Sequence, residues 1–243
     1  MRILLTVSYD GTDFCGYQIQ PNGRTVEEVL NGAIFSLTGE RVKSIASGRT
    51  DSGVHAYAQK VHFDTNSNIP PKSFAPALNA LLPSDVRVVK SKKVNNDFNA
   101  RYDAKKKTYR YSVYVSDFEH PLEKRYKTLI KTMPDVSKMK SSAKIIEGEH
   151  DFKCFLASGS SVKDTVRTVY SIKIVKKGKN IDFYVTGNGF LYNMVRIIVG
   201  TLLAVGNSKI TEEDVAKMLK TGVRSIAVKT MEAKGLALYS VIY

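Results

Sequence analysis

Apolar and polar residues alternate over residues 2–10 (RILLTVSYD), the period-two pattern of a strand with one buried face. From residue 25 the period changes. TVEEVLNGAIFSLTG spaces its apolar positions for a helix, with Thr25 and Glu28 at capping-box spacing and Gly39 near the end. Strands are predicted at 41–48 (RVKSIASG) and 57–65 (YAQKVHFDT), the latter with Val61 and Phe63 on one face. A short proline-bounded helix follows at 70–83 (PPKSFAPALNALLP), then a strand at 86–94 (VRVVKSKKV). The order is βαββαβ, the split unit of ferredoxin-like folds.

The second half roughly repeats this order. It has a strand at 106–115 (KKTYRYSVYV) and a helix over 133–148, with Pro134 near its start and Gly148 near its end. A hairpin over 165–187 turns at KGKN. An apolar helix follows at 190–206 (FLYNMVRIIVGTLLAVG). An added helix at 211–222 opens with Thr211 and Asp214 at capping-box spacing, and 236–243 (LALYSVIY) is the closing strand. The expected class is α+β: two tandem ferredoxin-like halves forming a mainly antiparallel sheet, helices on one side and a central cleft. The joint falls near NNDFNARYDAKKK, where charge rises and hydrophobicity drops, giving halves of 1–103 and 104–243.

Charge changes the picture more than composition does. Apolar residues make up 43% of 243, ordinary for a globular chain, but 37 Lys and Arg stand against 23 Asp and Glu, a net +14. Such an excess attracts polyanions, nucleic acid above all. Lysine enrichment for solubility is the plain alternative, yet glutamate does not rise with lysine as ion-pair networks would require. No run approaches the roughly 20 apolar residues of a membrane span, and the N-terminus has no signal-peptide pattern. Two cysteines, Cys15 and Cys154, form no disulfide framework, so a cytoplasmic protein is expected.

Several chemistries drop out. Gly48 and Gly53 have Walker-A glycine spacing, but Val54 stands where the lysine belongs. No Gly-x-Gly-x-x-Gly opens a helix, and His55, His62, His120 and His150 do not cluster at metal-ligand spacing. Three segments remain. In residues 48–56 (GRTDSGVHA), Arg49 and Asp51 point to one side if the chain is extended; the other reading is an Asx-type turn with a local ion pair. In TYRYSVYV, Tyr109 either stacks on an exposed base or packs in the core. In NGFLYNMVRIIVG, Arg196 lies in a helix apolar on nearly every side. A guanidinium buried there needs an anionic partner, for which Asp51 is a candidate; otherwise it reaches the surface along its own stem.

At these residues the chain resembles a known family, the TruA-type tRNA pseudouridine synthases, and it does so from end to end. GRTDSGVHA resembles the family's catalytic loop. YDGTDFCGYQIQ, FNARYDAKKKTYRY, FLYNMVRIIVG and GLALYSVIY resemble further motifs in the family's order. The resemblance implies isomerisation of uridine to pseudouridine at positions 38, 39 and 40 of the tRNA anticodon stem-loop. It implies that Asp51 is the catalytic aspartate and that Arg49 helps to extrude the base. It further implies that Tyr109 packs on the uracil, that Arg196 pairs with the aspartate, and that Leu236 closes the pocket. It implies a homodimer on tRNA, with no metal and no organic cofactor. Tyr17 replaces a common tryptophan, Ser52 a common alanine, and TMEAKGL lacks the usual Ala-Pro-Ala. Arg24, Lys105 and Lys106 are candidates for phosphate contacts, which would make binding salt-sensitive.

Two rivals belong to other classes. A catalytically silent RRM-like RNA-binding module shares the βαββαβ order, but TYRYSVYV lacks the RNP1 glycines and such a module has no use for Asp51. A phosphoryl-transfer or hydrolytic enzyme using Asp51 would need a metal cluster or phosphate loop that the sequence does not display.

Overall fold

The computed structural model describes residues 1–159 and 162–243. By packing, the chain forms two units: Met1–Lys105 with Ala237–Tyr243, and Lys106–Leu236. Both mix helices with mostly antiparallel strands.

The first unit contains β1 (Arg2–Tyr9), α1 (Val26–Thr38), β2 (Ile45–Ala46), β3 (His55–Asp64), α2 (Phe74–Leu81) and β4 (Val86–Val94). β1 lies between β3 and β4, antiparallel to both. Alternation decides its faces: Ile3, Leu5 and Val7 are wholly buried. Ser91 on β4, opposite Leu5, accepts a hydrogen bond from the backbone of Ala75 at the start of α2, so α2 lies on that face. Thr25 caps α1 by accepting from the Glu28 backbone, and Gly39 ends the helix at φ 73°. The expected strand at 41–48 pairs only at Ile45 and Ala46, opposite His62 and Val61. The closing strand β10 (Leu236–Ile242) runs parallel to β3, with Ala237 opposite His55 and Leu238 opposite Ala56. That pairing is why residues 237–243 group with the first unit.

The second unit contains β5 (Lys106–Val115), β6 (Thr128–Ile130), α3 (Val136–Ile146), β7 (Gly148–Asp151), β8 (Val166–Lys177), β9 (Asn180–Gly187), α4 (Met194–Gly206) and α5 (Glu212–Thr221). Its strands run in the order β5-β9-β8-β7, with β6 parallel beside β5. The KGKN hairpin turns with Gly178 at φ 57°. The apolar helix begins four residues later than its pattern, because Asn193 adopts φ 59°, a left-handed conformation that cannot continue into helix on its N-terminal side. Every residue of α4 except Arg196 is buried. Thr211 and Asp214 form a reciprocal capping box at the start of α5. No helix among the described residues is long and apolar enough to cross a membrane.

Candidate active site

The 48–56 loop is held at several points by the first unit. The Tyr9 hydroxyl lies 2.7 Å from the Thr50 hydroxyl, both side chains buried. Tyr9 reaches it because it continues the Ile3–Leu5–Val7 face of β1. Burial pushes the Tyr9 phenol well above its ordinary pKa, so it stays a neutral hydroxyl. Gln59, wholly buried on β3, accepts from Ser47 at 2.6 Å and donates to the Gly48 carbonyl at 2.7 Å. The Val54 amide donates to the Asp51 carbonyl at 3.1 Å, closing a four-residue turn. Gly53 sits at φ 75° in its third position, where a side chain would be strained. Asp51 thus opens a tight turn and is half-buried, while Arg49 beside it is exposed.

The 10–17 segment packs under that loop. Gly16, at φ 104°, would place a Cβ 2.9 Å from the Thr50 carbonyl, and a Cβ on Gly11 would run into the Val54 carbonyl. The Tyr17 amide donates to the Thr50 carbonyl, and Ser52 donates to the Phe14 carbonyl at 3.2 Å. His55 Nδ1 accepts from the Gly11 amide at 3.0 Å and lies 3.1 Å from Asp10. Arg24 stacks over the Phe14 ring at 4.1 Å and makes a two-pronged bond to Asp85 at 2.6 and 3.0 Å. Its guanidinium therefore clamps this segment to the turn before β4.

In the second unit, Tyr109 is buried on β5 and meets Phe190 edge-on at 5.2 Å. Arg196 is half-buried, donating from Nε to the Met231 carbonyl at 2.5 Å and from a terminal nitrogen to Asn193 at 2.6 Å. One helical turn later Gly200 faces the same segment, where a Cβ would collide with the Lys229 carbonyl. Tyr111, two residues on from Tyr109, lies 2.6 Å from the Thr128 hydroxyl and donates to the Glu232 carbonyl at 2.8 Å. Gly235 leaves room for its ring, since a Cβ there would stand 2.7 Å away. Residues 229–235 are thus gripped by α4 on one side and β5 on the other, and they deliver buried Leu236. Lys105 and Lys106 are exposed, with the Lys106 ammonium 5.1 Å from the Tyr170 ring centre.

Tyr109, Arg196 and Leu236 therefore come from elements joined through 229–235, while Arg49 and Asp51 share one loop of the first unit. Sequence reasoning missed Tyr9, Gln59 and the Met231 carbonyl. Tyr9 was visible as the last position of an alternating buried face; the carbonyl left no signal. Among the described residues no group of three or more His, Cys, Asp or Glu side chains is placed to hold a metal ion.

The tightly held turn around Asp51 and the net charge of +14 are what an enzyme acting on a polyanion requires, and comparison with known proteins supplies the class. The family model described as tRNA pseudouridine synthase matches residues 5–103 and 142–243. A tRNA pseudouridine synthase A of Bacillus licheniformis is 44% identical over 100% of this chain and 99% of its own length. One from Thermoanaerobacter sp. is 45% identical, and one from Acetivibrio thermocellus 43%, with the same coverage. The chain belongs to the tRNA pseudouridine synthase family and is an isomerase.

Proposed function

We propose that this enzyme converts uridine to pseudouridine at positions 38, 39 and 40 of the tRNA anticodon stem-loop, with Asp51 as nucleophile. The observation that carries the reading is the construction of the loop around Asp51. The preceding residue is clamped through Tyr9, and the Asp51 carbonyl itself closes a turn that only Gly53 accommodates easily. A backbone fixed this firmly presents the Asp51 side chain from one defined position, which favours a site that needs little reorganisation on binding substrate.

The reaction breaks the bond from uracil N1 to the sugar, turns the ring, and joins C5 to the same sugar carbon. C5 loses a proton and N1 gains one, so no oxidant or reductant is needed. A carboxylate nucleophile divides this exchange into steps through a covalent intermediate. Extruding the base costs a few kcal/mol. In this reading exposed Arg49 supports the gap, Tyr109 packs on the uracil, and Leu236 walls in the detached ring. Arg196 serves as counter-charge to Asp51, a role that rests on the family resemblance. Lys105 and Lys106 contact phosphates, and Arg24 does so by exchanging Asp85 for a phosphate oxygen.

The same reading takes the two units as tandem ferredoxin-like halves. The order β4-β1-β3-β2, antiparallel throughout, supports it for the first. It also takes the enzyme to be a cytoplasmic homodimer.

The test is pseudouridine formation on unmodified tRNA by wild type and Asp51→Ala, with tRNA binding measured in parallel. The expected result is a variant that folds and binds but makes no pseudouridine. A wild type that binds several tRNAs and modifies none would replace this reading with an RNA-binding module.

A further inference from the structure

The side of β1 facing away from the helices carries a line of lysines. Thr6 lies opposite Lys60 on β3 and opposite Lys90 on β4, so one row crosses three strands as Lys60–Thr6–Lys90. The next row on this face is His62–Leu4–Lys92. Neighbouring strands lie about 4.8 Å apart, and residues two apart on a strand about 6.7 Å apart. Three ammonium groups therefore stand within reach of one another on one patch of sheet.

These lysines do not all behave as loose surface charge. Lys60 is half-buried, and its ammonium donates to the Thr6 hydroxyl at 2.7 Å. Its pKa is lowered first by burial and then by the charges of Lys92 and Lys90. Holding like charges together this way is unfavourable in the isolated protein, and an anion laid across the rows would relieve it. Lys90 and Lys92 are exposed and open to such a ligand. His62 adds no charge to the second row: it is buried, and its Nδ1 accepts from the Ala100 amide at 3.1 Å.

We propose that the Lys60–Lys90–Lys92 face is a binding surface for the phosphate backbone of the RNA substrate, separate from the 48–56 loop, which Tyr9 anchors on the opposite face of β1. The proposal rests on the tRNA reading above for the identity of the polyanion. Lysine ammonium groups on a sheet face supply charge without base-edge chemistry, so this surface positions RNA and does not read its sequence. Its contribution is to affinity and salt dependence, leaving the chemical step unchanged.

The experiment compares wild type, Lys90→Gln/Lys92→Gln and a control, Lys217→Gln/Lys220→Gln, which removes the same charge from exposed positions on α5. Binding of unmodified tRNA is measured against salt concentration, with single-turnover pseudouridine formation at saturating tRNA. The first variant is expected to reduce the slope of log Kd against log salt by about 2, one per lysine, with its rate unchanged and the control near wild type. Equal losses in both double variants would show that only net charge matters and would overturn the proposal, as would a slope equal to that of wild type. If wild type proves catalytically inactive while the slope still falls in the first variant alone, the surface stands and the catalytic reading fails.

Discussion

The hydroxyl groups of Tyr9 and Thr50 lie 2.7 Å apart in the core of the first unit, one residue before Asp51. Through that bond the end of β1 sets where the candidate nucleophile stands. Both groups are out of water, and the Gln59 side chain also hydrogen-bonds the Tyr9 hydroxyl, so the pair belongs to a small buried polar network.

Tyr9→Phe removes one partner and leaves the Thr50 hydroxyl buried without it. The expected cost is about 1–3 kcal/mol of stability, with a fall in turnover and tRNA affinity within twofold of wild type. Adding Thr50→Val should recover part of the stability, because both polar groups are then gone. Denaturant melts of the two single variants and the double variant give the coupling directly.

Gly16→Ala should damage the loop more severely. The backbone there is at φ 104°, and the added Cβ meets the Thr50 carbonyl at 2.9 Å, a backbone atom that cannot swing aside. A loss of at least about 1–2 kcal/mol is expected from the conformation alone. Thermal melts measure that cost. Turnover should fall by a larger factor than tRNA binding, since the displaced carbonyl adjoins Asp51.

Arg196→Lys keeps a positive charge but cannot reach both the Met231 carbonyl and Asn193 with the same planar fork. If Arg196 orients and balances Asp51, kcat should drop by roughly ten- to a hundredfold at saturating tRNA, with Kd little changed. A variant that loses stability yet keeps wild-type kcat would confine Arg196 to holding 229–235 in place.

Cys154 offers a check on the second unit by pH. Burial pushes its thiol up to about 11 from an ordinary 9.0. The folded protein therefore keeps a proton that the unfolded chain releases above 9.0. Stability from this group is complete below pH 9 and declines as pH rises towards 11. At pH 8 an alkylating reagent should label exposed Cys15 and spare Cys154 in the native protein, and should label both after denaturation. Mass mapping of the labelled peptides reads the outcome.

Much of the fold was legible because it is local. The boundaries of β4 and β5 follow directly from runs of β-forming residues between turn signals. Thr25, Gly39, Thr211 and Gly222 mark helix ends through contacts made within a few residues. The short strands β6 and β7 were not legible: Thr128–Ile130 and Gly148–Asp151 are too brief to show a period, and only their partners β5 and β8 make them strands. The start of α4 departs from the apolar pattern, which continues upstream through Leu191, because the backbone turns left-handed at Asn193.

For the site, the sequence by itself determined which residues are candidates, since a carboxylate between two glycines and an arginine in an apolar helix are conspicuous as residue types. It also determined the strongly positive charge that draws in a polyanion. The tertiary structure alone decided that Tyr9 grips Thr50, that Arg24 is engaged by Asp85 and Phe14, and that Arg196 donates to the Met231 carbonyl. It alone placed β10 beside β3, some 180 residues earlier in the chain. The physical reason is the same in each case. Periodicity and capping report forces between near neighbours in sequence. A hydrogen bond to a distant carbonyl, or pairing with a distant strand, depends on where folding carries the backbone, and a backbone carbonyl looks the same at every residue.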